Sequence, residues 1–176
     1  MAITKIQSES INLADTYAFT GNVTADPIKV TPMVSVSMSG NQTISDNVKT
    51  LLNYNTVDID TDSAYDNSAS NYKFTVPSGK AGTYLITVLF NTFNENSTIL
   101  NVQGLIYKNA AILSYQRQRH DSGGSSRHSG AFTNWMGTLA VGDFIQAYGY
   151  IDISSQDAVV LGGSQQSRMT IVRLGN

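Results

Sequence analysis

The sequence predicts an all-β chain folded as an antiparallel sandwich or jelly roll. Three observations carry that prediction. Asn, Ser, Thr and Gly are abundant, while Glu occurs only at Glu9 and Glu95, a composition that disfavours helices and favours strands and turns. Short apolar-alternating runs recur from Thr31 onward, separated by turn signals. Finally, the stretch Tyr72 to Phe93 reads as two strands joined at Pro77-Ser78-Gly79, and the second is apolar on both faces. Tyr84, Ile86, Val88 and Phe90 share one side, and Leu85, Leu89 and Phe93 the other. A strand with one face in water should alternate apolar with polar. No helical pattern is available to cover the second face, so a second copy of the chain is expected to do so.

Residues 1–30 differ from the remainder. Ile3, Ile6, Ile11, Leu13, Tyr17, Phe19 and Val23 are scattered apolar anchors that fit neither the helical nor the strand period. Asp26-Pro27 marks a boundary. This segment is expected to be an extended arm docking on another surface, ahead of a head domain over 31–176.

Within the head, Val34, Val36 and Met38 alternate with serines as a half-buried strand. Gly40-Asn41 turns the chain, Val48 to Tyr54 is a second candidate strand, and Asn55 to Asn71 reads as a polar loop. Strands are expected at 72–76 and 83–93, then at 99–107 and 112–119 either side of Lys108-Asn109. Asp121 to Gly130 is a Ser/Gly-rich tip without an apolar residue. Further strands are expected at 132–139, 144–151 and 169–174. That makes eight to ten short strands at regular spacing.

Composition limits the function. Net charge is −2 and charged residues are 14%, which gives no electrostatic reason to expect nucleic acid or an anionic membrane. There is no cysteine, hence no disulfide framework or thiolate metal site. No apolar run reaches the roughly 20 residues of a membrane span. The opening residues also lack the apolar core of a signal peptide, so synthesis in a cytosol is expected.

Two stretches carry candidate binding chemistry. Asp58, Asp60, Asp62 and Asp66 are closely spaced carboxylates, a candidate oxygen cage for calcium. Ser63 and Ala69 stand where an EF-hand loop needs Gly and Glu, so that motif is excluded; the alternative is a solvated Asx-rich turn. Around the tip, Arg117, Arg119, His120, Arg127 and His128 form a basic cluster, a candidate recognition surface for an anionic or glycan ligand if the loop is a hairpin tip. Catalysis has no comparable signal. His120-Asp121-Ser122 are consecutive, which is not how a triad is assembled, and no phosphate-binding Gly-rich motif occurs. No catalytic residue and no cofactor besides calcium is expected.

The features from Tyr54 to Leu174 resemble the globular head of complement component one-q, a jelly roll related to tumour necrosis factor. The matching residues are Tyr54, Val57, Tyr65-Asp66, Tyr72 to Pro77, Gly82-Thr83-Tyr84, Leu139-x-x-Gly142-Asp143-x-Ile145 and Met169-Thr170-Ile171. Asn53-Tyr54-Asn55 stands where that family has Phe-Asp, and Met169-Thr170-Ile171 where it has Phe-Ser-Gly, so its ligand-binding details do not carry over. The resemblance implies a homotrimer, with Leu85, Leu89 and Phe93 at the interface. The opening, MAITKIQSES-INLADTYAFTGNVT, resembles the start of tail-fibre and other virion proteins of bacteriophages. That implies a virion component attached to the particle through residues 1–30. The combined expectation is a trimeric virion structural protein that binds a host-surface glycan or protein. A capsid-bound decoration or head-fibre protein is the alternative, and a polysaccharide-degrading enzyme a more distant one.

Overall fold

The computed structural model describes residues 31–120 and 126–175. The expected arm over residues 1–30 and the first half of the tip loop lie outside the described residues. Everything regular in the described part is strand: β1 (Met33–Ser37), β2 (Gln42–Ile44), β3 (Thr50–Leu51), β4 (Thr56–Asp60), β5 (Tyr65–Asp66), β6 (Lys73–Thr75), β7 (Gly82–Phe93), β8 (Ile99–Lys108), β9 (Ala111–Arg119), β10 (His128–Leu139), β11 (Phe144–Ile153), β12 (Ala158–Val160) and β13 (Arg168–Gly175).

These form two antiparallel sheets. In sheet A, β7 is central. Its full length pairs with β10 on one side, and β13 and β12 pair end to end along the other. Beyond them lie β1 and β2, then β4 at the edge. Sheet B runs β5-β6-β11-β8-β9, with β3 continuing the line of β6 along β11. The arrangement is the jelly-roll sandwich expected from the sequence.

The core fills the space between the sheets. Tyr84, Ile86, Val88 and Phe90 of β7 are buried, as are Phe74, Val102, Ile106, Ile145 and Ile151 of sheet B. The Phe74 and Tyr84 rings meet across the gap at 5.8 Å, tilted by 54°, a favourable aromatic geometry. Tyr54 donates its hydroxyl to the Leu89 carbonyl at 2.9 Å, and Tyr65 donates to the Tyr54 carbonyl at 2.9 Å. Burial holds both phenols well above the ordinary tyrosine range, so both stay neutral donors.

Two turns explain pieces of the sequence pattern. Between β8 and β9, Asn109 (φ 51°) and Ala110 (φ 65°) form a two-residue connection with both central φ positive, the geometry whose twist suits a hairpin. Before β11, Gly142 takes φ 84°. Asp143 then binds the turn together. It accepts from the Ala140 amide at 2.8 Å and from Asn109 Nδ2 at 2.7 Å, and pairs with Lys108 Nζ at 2.7 Å. The hydrogen bond from Lys108 is the main cause holding its carboxyl below the usual range.

The sequence reading of the early head is corrected in two places. Asn55 to Asn71 is not all loop, because β4 and β5 form within it. The strand expected over 48–54 shrinks to Thr50–Leu51, because the backbone turns on both sides: Val48 N donates to Ser45 O, and Tyr54 N to Leu52 O.

Candidate binding surfaces

Register places the residues of β7 unambiguously. Tyr84, Ile86, Val88 and Phe90 point into the core, so Leu85, Leu89 and Phe93 lie on the outer face of sheet A. There they are not alone. Met33 of β1, Val172 of β13, Leu85 of β7 and Met136 of β10 stand opposite one another in turn, making one apolar row across four strands. Leu89 faces Phe132, and Phe93 faces His128. Exposure is 36% at Leu85, 51% at Phe132 and 65% at Met136. Singly exposed apolar residues need no explanation, whereas a contiguous apolar face does. Sequence reasoning found the β7 residues but missed Met33, Phe132, Met136 and Val172. The available signal was in β10, where Ala131 and Trp135 alternate with Phe132 and Met136, so that strand too is apolar on both sides.

The basic cluster is divided by the fold. β9 is the edge of sheet B and β10 the edge of sheet A, so the two strands are not a hairpin pair. Arg117 and Arg119 stand opposite Gln103 and Asn101 on the outer face of sheet B. His128 faces out from sheet A, with its ring stacked on Phe93 at 4.3 Å. His120 joins the two strands, Nε2 lying 2.8 Å from Ser129 Oγ. Arg127 accepts on its carbonyl from the Asn94 amide, tying the chain to the β7–β8 turn. At the same edge Thr133 Oγ1 donates to the Gly104 carbonyl at 2.9 Å, a bond between sheets. A Cβ on Gly104 would lie 2.6 Å from that hydroxyl oxygen, so the close approach requires glycine.

The acidic stretch is committed to internal bonds. Asp60 accepts from the amides of Asp62 and Ala64 on Oδ1 and from the Tyr65 amide on Oδ2, the Asx-type turn chemistry of a self-bonded loop. Asp62 pairs with Lys80 at 3.3 Å. Asp66 accepts from Ser68 and from Asn71, and the Ser68 hydroxyl contributes most to lowering its pKa. Asp58 accepts from Ser37 Oγ at 3.3 Å. The structure does not bring these four carboxylates together, and among the described residues no group of three or more His, Asp or Glu is arranged to hold a metal ion.

No protein-family model matches the chain, and no curated protein matches it. Solved structures do. The chain is similar to the Eiger TNF of S. frugiperda, at 14% identity over 83% of this chain and 94% of that one, with a TM-score of 0.59. It is also similar to murine APRIL at pH 5.0, at 11% identity over 82% of this chain and 99% of that one, with a TM-score of 0.58. The pH 8.0 structure of murine APRIL gives 10% identity and a TM-score of 0.59 over the same shares. At such identities the likeness is one of fold. It is the tumour-necrosis-factor-like jelly roll.

Proposed function

We propose that the chain is a bacteriophage virion structural protein whose jelly-roll head closes into a homotrimer and binds the host surface. The reading joins two supports. The opening residues resemble those of virion proteins and would attach the head to the particle. The head carries an apolar row from Met33 through Val172 and Leu85 to Met136, and this single observation carries self-association. A monomer would leave that row in water. Burying a whole side chain of this kind contributes about 1.5–3 kcal/mol, so a second copy over the face is favoured. The number three comes from the family resemblance, and cyclic closure uses the same patches on every subunit. The role is binding and structural rather than catalytic.

The experiment is competition. Purified head starting at Thr31 and purified full chain are each added to host cells before the particles, and each is also incubated with particles lacking the protein. The head alone should slow adsorption of particles to their host, and the full chain alone should incorporate into particles lacking the protein. Incorporation without any effect on adsorption would favour a capsid decoration over a host-binding appendage. Failure of both would overturn the reading.

A further inference from the structure

The outer face of sheet B holds a groove of ≈ 390 Å³ lined by Lys49, Gln103, Leu105, Ile112, Tyr115, Arg117 and Tyr150. Register builds it. Arg117 of β9, Gln103 of β8 and Tyr150 of β11 stand side by side in one row, and Tyr115, Leu105 and Tyr148 form the next. Leu105 is a buried apolar floor. Tyr150 is fixed by donating its hydroxyl to Asn47 Oδ1 at 2.6 Å.

Three properties of this groove call for a ligand. Gln103 is only 7% exposed and lines the groove, so the little it exposes opens onto the groove. A buried polar group is ordinarily satisfied. One row further along the same face, Asn101 is 8% exposed and leaves its Oδ1 buried without a partner. Lys49 and Arg117 supply two cations, no carboxylate lines the groove, and neither cation forms an ion pair among the described residues. The chain as a whole is slightly acidic, so this local positive field is a property of the groove.

We infer that the groove between β8, β9 and β11 binds a sugar unit carrying an anionic group, such as a uronic acid of an acidic polysaccharide. Arg117 offers its planar fork to the carboxylate, and Lys49 adds a second charge from the opposite rim. Tyr115, 58% exposed, presents a flat ring to the apolar face of the pyranose. The Gln103 amide can both donate to and accept from ring hydroxyls. A few fixed polar groups around an apolar floor is the usual construction of a small-ligand site. This deepens the host-binding half of the proposed function, and moves recognition from the loop tip to the face of sheet B.

The test uses the full-length protein and three probes in calorimetric titrations, followed by NMR of the glutamine side-chain amides. The probes are trigalacturonate, the neutral trisaccharide maltotriose and inorganic sulfate. Trigalacturonate should bind saturably, more weakly as salt rises, and shift the Gln103 amide. Arg117→Ala and Lys49→Ala should each weaken it by about tenfold. Arg127→Ala, at the loop, should leave it unchanged. Equal binding of maltotriose would overturn the anionic part, and equal binding of sulfate the sugar part. Absence of saturation into the millimolar range, or sensitivity to Arg127 rather than Arg117, would overturn the site itself. None of these readouts uses a particle or a host cell, so failure here leaves the virion reading standing, and failure of the adsorption experiment leaves this one standing.

Discussion

Met136→Asp is the most direct probe of the apolar face of sheet A. Met136 is 65% exposed in the isolated head, so its own fold loses little when the side chain becomes polar. Covered by a partner, the same side chain would recover about two-thirds of a full methionine burial, ~1–2 kcal/mol. The aspartate forfeits that and adds the cost of enclosing an unpaired carboxylate, several kcal/mol after relaxation. Taken together this is at least about 4 kcal/mol per subunit, or roughly a thousandfold in each association constant. A cyclic trimer repeats the loss three times. Sedimentation velocity at micromolar protein should therefore show a trimer for the parent and a monomer for the variant. Far-UV circular dichroism should be the same for both, and cooperative unfolding should persist in each. A parent that sediments as a monomer, or a variant that stays trimeric, would refute the argument.

Four further outcomes are expected. Asp143→Asn should lower the melting temperature at neutral pH. Because the folded carboxyl titrates below its ordinary value, the parent's advantage is complete above about pH 4 and shrinks as pH falls through the folded pKa; a gap that widens as the solution is made acidic would contradict this. Ala110→Gly should stabilise the head by about 0.5–1 kcal/mol in urea unfolding, since a left-handed alanine (φ 65°) costs roughly 1–2 kcal/mol while glycine pays more chain entropy. Tyr54→Phe should cost about 1 kcal/mol by stripping the Leu89 carbonyl of its buried hydroxyl donor, read by the same unfolding curves. Chelation with EDTA should leave the melting temperature unchanged, because Asp60, Asp62 and Asp66 are engaged within the chain; a fall of several degrees would reinstate a cation in that loop.

The long strands were legible because each repeats its alternation several times. β7 carries twelve residues, enough to show that Tyr84 and Leu85 belong to opposite apolar faces. β2 and β12, three residues each, complete barely one period and are stabilised by pairing with each other and with β7. Nothing local marks them. β4 was hidden for another reason. Its Asp58 and Asp60 look like cation ligands, whereas Asp60 caps the backbone that follows. The basic cluster is shared between two sheets, because closeness in sequence does not fix which sheet a strand joins. Arg119 belongs to sheet B and His128 to sheet A, and that depends on pairings remote in the chain. Gln103 and Asn101 gave no warning at all, since polar residues alternating with Val102 and Ile106 read as an ordinary solvated face.

The two outer faces of this sandwich differ in charge, the apolar row lying on sheet A and the Lys49 and Arg117 cations beside the groove of sheet B, and the difference fixes how an assembly can be valued. Copies that gather by hiding the apolar row of sheet A must turn sheet B away from their common axis. Each assembly then displays its Arg117–Gln103–Tyr150 rows outward, one per subunit and rigidly spaced. A polymeric ligand that engages one row meets the next at a high effective concentration. Sites that are weak alone can in this way hold a repeating surface 10²–10⁴-fold more tightly (order of magnitude, about two to four powers of ten) without any new contact. Modest affinity in each groove is then an advantage. A bound copy can release one contact at a time and travel along the polymer while the remaining contacts hold.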